Sequence, residues 1–257
     1  MKTRFANIKR FLGNTRNYKP VFNPPIWYAL KKKWDIVGRI DTLFCPEKAL
    51  DRHRIFINER ILEIPFVHRC LDSAPGSRIL DFGCVESNLG IQLASRGMLV
   101  TGVDLRPYPY SCQNFTFCQG DFFELDLPEK SFDAIVAISA VEHVGLGAYG
   151  ENAHGKEADR RIIDRFYELL TPGGQLILTV PFGMWNVTPF CRIYDNKALH
   201  SLLENYVLDY EEYHARTDFA NWSRTTASDL SKKKWEPVGH GADGVALISA
   251  KRPIGSD

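Results

Sequence analysis

Three aspartates in this chain each close a short apolar run. The runs are Arg78-Ile-Leu-Asp81 with Gly83 just beyond, Leu99-Val-Thr-Gly-Val-Asp104, and Phe115-Thr-Phe-Cys-Gln-Gly120-Asp121. Apolar runs of this length read as strands buried in an α/β sheet, and such sheets bind ligands beyond the carboxyl ends of their strands. An acid there is a hydrogen-bond acceptor aimed at the ligand. Gly83, without a Cβ, lets the backbone come close to it. Asp104 follows Gly83 by 21 residues, about the spacing at which an acid accepts from a ribose diol. Asp121 can accept from an exocyclic amino group, such as that of adenine. Each acid alone suits a helix cap equally well. Three in register point to a nucleoside-shaped ligand.

A second group follows the fourth apolar run. It reads Ser139-Ala-Val-Glu-His-Val-Gly-Leu-Gly-Ala-Tyr-Gly150, with His154 a little further on. Glu142, His143, Tyr149 and His154 therefore leave the sheet beside the expected ligand. Histidine titrates near neutrality and can take a proton from an alcohol, so His143 is the candidate base, with Glu142 as its partner. The same pair could serve only to brace the loop. Tyr149 and His154 are candidate acceptor-binding groups. So are Tyr194 and Asp195 in Arg192-Ile-Tyr-Asp195, although Asp195 also suits a cap on the helix after it. Trp185, Trp222 and Trp235 offer faces for a sugar or aromatic ring, or for the core.

These residues need a scaffold. Strands are expected at 78–82, 99–103, 115–118, 132–139 and 175–180, alternating with helices at 88–96, 160–170 and 197–203, which describes a parallel sheet with helices on both faces. The last two strands, 207–212 and 245–250, lack a helix between them and suit an antiparallel edge. Residues 213–244 form a long interruption, either a lid or partner surface or a disordered polar insertion. A helix over 52–71 should kink or break near Pro65. Thr171-Pro-Gly-Gly174 should stop the helix before it. The organisation expected is a basic, partly helical N-terminal extension over 1–74 and a ligand-binding domain over 75–257.

The net charge of +1 conceals an asymmetry. Residues 1–60 carry 14 Lys/Arg and 5 Asp/Glu, a net of +9, so the remainder carries −8. Such a segment can attract anions, nucleic acid or a membrane surface, or be a solvated arm. No apolar segment follows the basic start, no run is long enough to span a membrane, and the six cysteines form no Cys-x-x-Cys pair. A cytoplasmic protein with reduced cysteines is the resulting expectation. Nothing in the sequence sets an oligomeric state.

Taken in order, Asp81-Phe-Gly83-Cys84, Gly102-Val-Asp104, Gly120-Asp121-Phe122, Ser131-Phe-Asp133 with Ala137–His143, and Leu170-Thr-Pro-Gly-Gly174 resemble the successive motifs of the class I S-adenosylmethionine-dependent methyltransferases. The resemblance implies a Rossmann-like, mostly parallel sheet of seven strands in the order 3-2-1-4-5-7-6, with strand 7 antiparallel. It implies S-adenosylmethionine as cofactor and S-adenosylhomocysteine as product. Asp81, Gly83 and Cys84 would line the methionine end. Asp104 would hold the ribose, with Leu105 beside the adenine. Asp121 and Phe122 would meet the adenine amino group and face. Ser139 and Ala140 would close the floor. Val85 and Ser87 stand where the family has glycines, so the turn must run differently, with contacts shifted toward Ser87 and Gly90. Some relatives bind a divalent metal near Glu142 and His143, but no metal-ligand spacing supports one here. The Glu-His pair and the segments that follow look like a bacterial subgroup acting on glycans or secondary metabolites. This makes a hydroxyl of a small molecule or glycan the expected acceptor. The alternatives are a nucleic-acid methyltransferase using the basic N-terminal segment, and a non-catalytic cofactor-binding subunit. Against the former, the chain has no Asn-Pro-Pro-Tyr-type loop and no recognisable RNA-binding module.

Overall fold

The computed structural model describes residues 57–147, 149, 154–155, 157–218, 220–234 and 242–255. Most of the basic leading segment, with Lys31–Lys33 and Cys45, lies outside them, as do Trp235 and His240. The described residues belong to one compact unit running from Ile55 to Asp257.

The framework is one sheet of eight strands. Strands β1 (Arg78–Phe82), β2 (Leu99–Asp104), β3 (Phe115–Gln119), β4 (Phe132–Ile138) and β5 (Leu170–Pro181) are parallel. Strands β8 (Val207–Arg216), β9 (Trp222–Thr225) and β10 (Gly244–Lys251) complete it in the order β3-β2-β1-β4-β5-β10-β8-β9. β10 runs antiparallel to both β5 and β8. It thus takes the place of the expected antiparallel seventh strand, with β8 in the place of the sixth. The extra strand is β9, which pairs with β8 from Tyr213↔Thr225 to Arg216↔Trp222. It lies within the segment expected to be an interruption, together with a short helix at Ala227–Leu230. Trp222 anchors it: its indole N–H donates to the Ile57 carbonyl at 3.1 Å, and the Arg216 guanidinium lies 4.4 Å from its ring. A small two-stranded hairpin, β6 (Asn186–Val187) and β7 (Arg192–Ile193), stands apart from the sheet.

The helices are α1 (Arg60–Cys70), α2 (Leu89–Ser95), α3 (Ala158–Leu169), α4 (Asn196–Leu202) and α5 (Ala227–Leu230). α3 buries Ile162, Ile163, Phe166 and Leu169, the stripe a helical period requires, in the core cluster with Phe82 and Phe122. Phe66 and Val67 of α1 and Leu89 and Leu93 of α2 are fully buried in a second cluster. Each such side chain contributes about 1.5–3 kcal/mol. β4 and β10 are buried almost throughout, as central strands covered on both faces should be.

Two expectations are corrected here. Pro65 sits inside α1 without ending it. The carbonyl it leaves without a donor belongs to Ile61, a residue 55% exposed, where water can satisfy it. α3 ends at Leu169, before Thr171–Gly174 as expected, but the strand starts earlier than residue 175. The chain enters β5 directly at Leu170, and the glycines form a bulge in which Phe132 pairs with Leu170 but Ala134 with Gln175. Gly173, at φ 79°, supplies the left-handed step.

The chain leaves β1 toward β2 and β3 on one side and returns to β4 on the other. The carboxyl ends of β1 and β4 therefore diverge, and a cleft opens between the loops that leave them.

Candidate active site

The cleft has a cavity volume of about 100 Å³ and opens to solvent. Its base is set by Gly83, directly after β1. Gly83 has φ 72°, and a Cβ on it would lie 2.6 Å from the Ala140 Cβ. No side chain fits there, so the loops after β1 and β4 come into backbone contact. The next residues, Cys84–Glu86, form a 3₁₀ turn. Val85 lies inside this turn and needs no left-handed conformation, which is how the chain dispenses with a second glycine. Its amide donates to Asp104 Oδ2 at 3.1 Å.

Asp104 and Asp121 both line the cleft, at the tips of β2 and β3. Asp104 accepts from the Arg106 amide at 2.9 Å and from Arg106 Nε at 3.1 Å. Asp121 accepts from the Phe123 amide at 3.1 Å and from His154 Nε2 at 2.6 Å, while the His154 ring packs 4.4 Å from the Phe123 ring. Val103, Leu105, Phe122 and Ile162 give the cleft an apolar lining. Ser139, Ala140, His143 and Tyr149 also line it.

His143 lies in a 3₁₀ turn, Val141–His143. Its Nδ1 is 2.7 Å from the Phe190 carbonyl, which can only accept, so the neutral ring carries its proton on Nδ1 and its lone pair on Nε2. Nε2 stands 3.5 Å from Glu142 Oε1. Glu142 does not line the cleft. It is buried, and burial pushes its carboxyl well above the ordinary range. Tyr149 packs edge-on to His143 at 5.3 Å and lies under the Arg106 guanidinium at 4.6 Å.

Several residues singled out in the sequence do other work. Asp81 is 1% exposed and does not line the cleft. Burial raises its carboxyl to about 7, against the opposing pull of the Gly90 amide and of Arg60. Cys84 is buried, and desolvation raises its thiol above the usual range. Ser87 stabilises the start of α2: its hydroxyl accepts from the Leu89 amide and its carbonyl from the Tyr108 hydroxyl. Asp195 caps α4 by accepting from the Ala198 amide at 2.8 Å. Tyr194 is 1% exposed and donates to Asp159 Oδ2, away from this cleft. The expected convergence of three carboxylates thus reduces to two, because β1 presents Gly83 at its tip and turns Asp81 inward. Cys70, Cys84, Cys112, Cys118 and Cys191 are free thiols, and no group of three or more metal-ligating side chains occurs among the described residues.

Sequence reading missed Arg60. It reaches the cleft from α1, held by Glu63 Oε2 at 2.5 Å and the Ile138 carbonyl at 3.0 Å. Glu63 is fully buried and also accepts from Ser139 Oγ at 2.5 Å and Thr179 Oγ1 at 2.7 Å. A guanidinium here can meet a carboxylate. Nothing local distinguishes Arg60 from the other basic residues before it; only the fold brings it to Ile138.

Chemically, the cleft offers acceptors for a diol and for an amino group, an apolar lining, a guanidinium and an imidazole. These donors and acceptors fit an adenosine carrying an amino-acid tail.

Residues 80–178 match the family model described as a methyltransferase domain. Over that stretch the chain is similar to methyltransferases. Over 176 residues it is 27% identical to a ubiquinone biosynthesis O-methyltransferase of Alkalilimnicola ehrlichii, covering 63% of this chain and 65% of that protein. Over 114 residues it is 31% identical to a sterol 24-C-methyltransferase of Yarrowia lipolytica, covering 39% and 26%. The match thus spans between a quarter and two thirds of these relatives. The domain shares its fold with the Burkholderia thailandensis 1,6-didemethyltoxoflavin-N1-methyltransferase, solved with 1,6-didemethyltoxoflavin and S-adenosylhomocysteine, at a TM-score of 0.53, 16% identity and coverage of 92% and 93%. No helix among the described residues is long and apolar enough to cross a membrane.

Proposed function

We propose that this protein transfers a methyl group from S-adenosylmethionine to a hydroxyl of a small molecule or glycan. The observation that carries this reading is that Asp104 and Asp121, at adjacent strand tips, line one cleft with apolar side chains and the His143 imidazole. The relatives named for O-methylation support it.

In this reading Asp104 holds the ribose hydroxyls, and Asp121 the adenine amino group. Leu105 and Phe122 enclose the base, and the Gly83 backbone supports the chain toward the methionine end. Arg60 pairs with the amino-acid carboxylate. When bound, S-adenosylmethionine supplies an electrophilic methyl group and leaves as the neutral thioether S-adenosylhomocysteine. His143 Nε2 takes the acceptor's hydroxyl proton as its oxygen bonds to the methyl carbon. Phe190 fixes the ring's tautomer through Nδ1. Glu142 Oε1, 3.5 Å from Nε2, stands behind the ring as an acceptor for the N–H so formed. Tyr149 borders the acceptor's space, and Ser139 and Ala140 form the floor. The rate depends on holding the acceptor in line with the reacting carbon.

The test is incubation with methyl-tritiated cofactor and a panel of phenols, alcohols and glycosides. Label in an O-methyl ether of at least one acceptor supports the reading. Tight cofactor binding with no transfer to any acceptor would instead identify a cofactor-binding subunit.

A further inference from the structure

The large apolar side chains that stay exposed are not spread evenly over the described residues. Met184, Trp185, Val187 and Phe190 are each between 46% and 52% exposed, and they fall within seven consecutive residues. They belong to the β6–β7 hairpin and the two residues that lead into it. The hairpin's strands pair with each other and not with the main sheet. Single exposed hydrophobes are ordinary, but a cluster of them marks a contact with something apolar.

The margin of this cluster is cationic. Residues 182–194 contain no Asp or Glu. Lys232, Lys233 and Lys234 lie against the base of the hairpin, where the Met184 amide donates to the Lys233 carbonyl at 2.9 Å. Lys233 turns its ammonium inward, onto the Arg216 and Asp243 carbonyls, whereas Lys232 and Lys234 are exposed. Lys197 is exposed too, next to Asn196, whose amide donates to the Ser231 hydroxyl at 3.3 Å. Asp229, 3.8 Å from Lys232, offsets one of these three exposed charges. The chain beyond residue 60 carries a net of −8, so this margin runs against the charge of its own domain.

Apolar and aromatic side chains with lysines beside them fit a bilayer surface. The former enter the boundary of the acyl chains and the latter meet anionic headgroups. An apolar protein partner would match the hairpin but leave the lysines without a counter-charge. We propose that the β6–β7 hairpin docks this domain on an anionic lipid surface. Phe190 ties that contact to the cleft, because its ring packs 4.5 Å from the His143 ring and its carbonyl accepts from His143 Nδ1. A docked hairpin holds the His143 side of the cleft near the headgroups, where the hydroxyl of an amphiphilic acceptor can reach it. The link to the acceptor rests on the methyl-transfer reading; the docking does not.

The test is co-sedimentation of the full chain with phosphatidylcholine vesicles made with and without phosphatidylglycerol. The chain should pellet with the anionic vesicles, and less so as salt is raised. Trp185→Ser should weaken this binding about tenfold, Trp185→Phe should restore most of it, and Lys234→Gln should weaken it about fivefold. Calorimetry with S-adenosylhomocysteine monitors the cofactor cleft separately and should be unchanged in all three variants. No sedimentation would overturn the proposal. So would sedimentation indifferent to either Trp185→Ser or Lys234→Gln, which would assign the binding to the basic leading segment. A dimer in vesicle-free solution that Trp185→Ser dissociates would also overturn it, since a second copy would then cover the hairpin. Vesicle binding that depends on Trp185, without S-adenosylhomocysteine binding, would leave the docking standing and overturn the cofactor assignment.

Discussion

Arg106 Nε stands 3.1 Å from Asp104 Oδ1, so the carboxylate read as the ribose acceptor already has a cation from its own chain. Arg106 also pairs with Glu86 and covers the Tyr149 ring. Here the guanidinium is 30% exposed and the carboxylate 6%, and screening of the guanidinium by water holds the pair to about 1 kcal/mol. Arg106→Ala should therefore tighten cofactor binding only about threefold, with S-adenosylmethionine gaining more than S-adenosylhomocysteine because one positive charge near the sulfonium is lost. Calorimetry with both ligands measures this. Weaker binding of both would show that Arg106 itself grips the ligand.

His143→Ala should lower turnover about a hundredfold or more and leave affinity for S-adenosylhomocysteine within about twofold, since the ring faces the acceptor in this account. Single-turnover kinetics beside calorimetry separates the two. Full activity would remove His143 as the base.

Gly83→Ala should damage both stability and cofactor binding. The new methyl meets the Ala140 Cβ, and φ 72° strains any side chain; the combined cost is about 1–3 kcal/mol. Adding Ala140→Gly removes the contact but not the strain. The double variant should recover part of the melting temperature, and no recovery would show that the backbone conformation alone matters.

Asp81 gives a pH signature. Its folded carboxyl titrates near 7 and its unfolded one near 3.8. The folded state therefore binds more protons between these values, and this group's contribution to stability falls as pH rises from about 4 to 7. Asp81→Asn should abolish that decline and raise the melting temperature at pH 8, by up to about 4 kcal/mol in stability. An unchanged pH profile would place the proton elsewhere.

The parts of the fold and site legible in the sequence were those encoded locally. Asp104 and Asp121 could be read because each ends an apolar run, and strand tips are where a sheet meets ligand. The edge formed by β8 and β10 could be read because no helix separates the runs. Asp81 misled because a run ending Asp-Phe-Gly does not say which residue reaches the tip; Asp81 is buried and does not line the cleft. β9 was hidden because its pairing depends on Trp222 reaching back to Ile57, 165 residues away. Arg60 was hidden for the same reason, since its carbonyl partner Ile138 is 78 residues distant.

The central claim is that Asp104 grips the ribose of the cofactor. Titration of S-adenosylhomocysteine into the full chain and into Asp104→Ala, followed by calorimetry, tests it most directly. The account predicts one saturable site per chain, weakened at least about tenfold by the substitution. Equal affinities, or no binding heat from the unaltered protein at any ligand concentration tried, would contradict it.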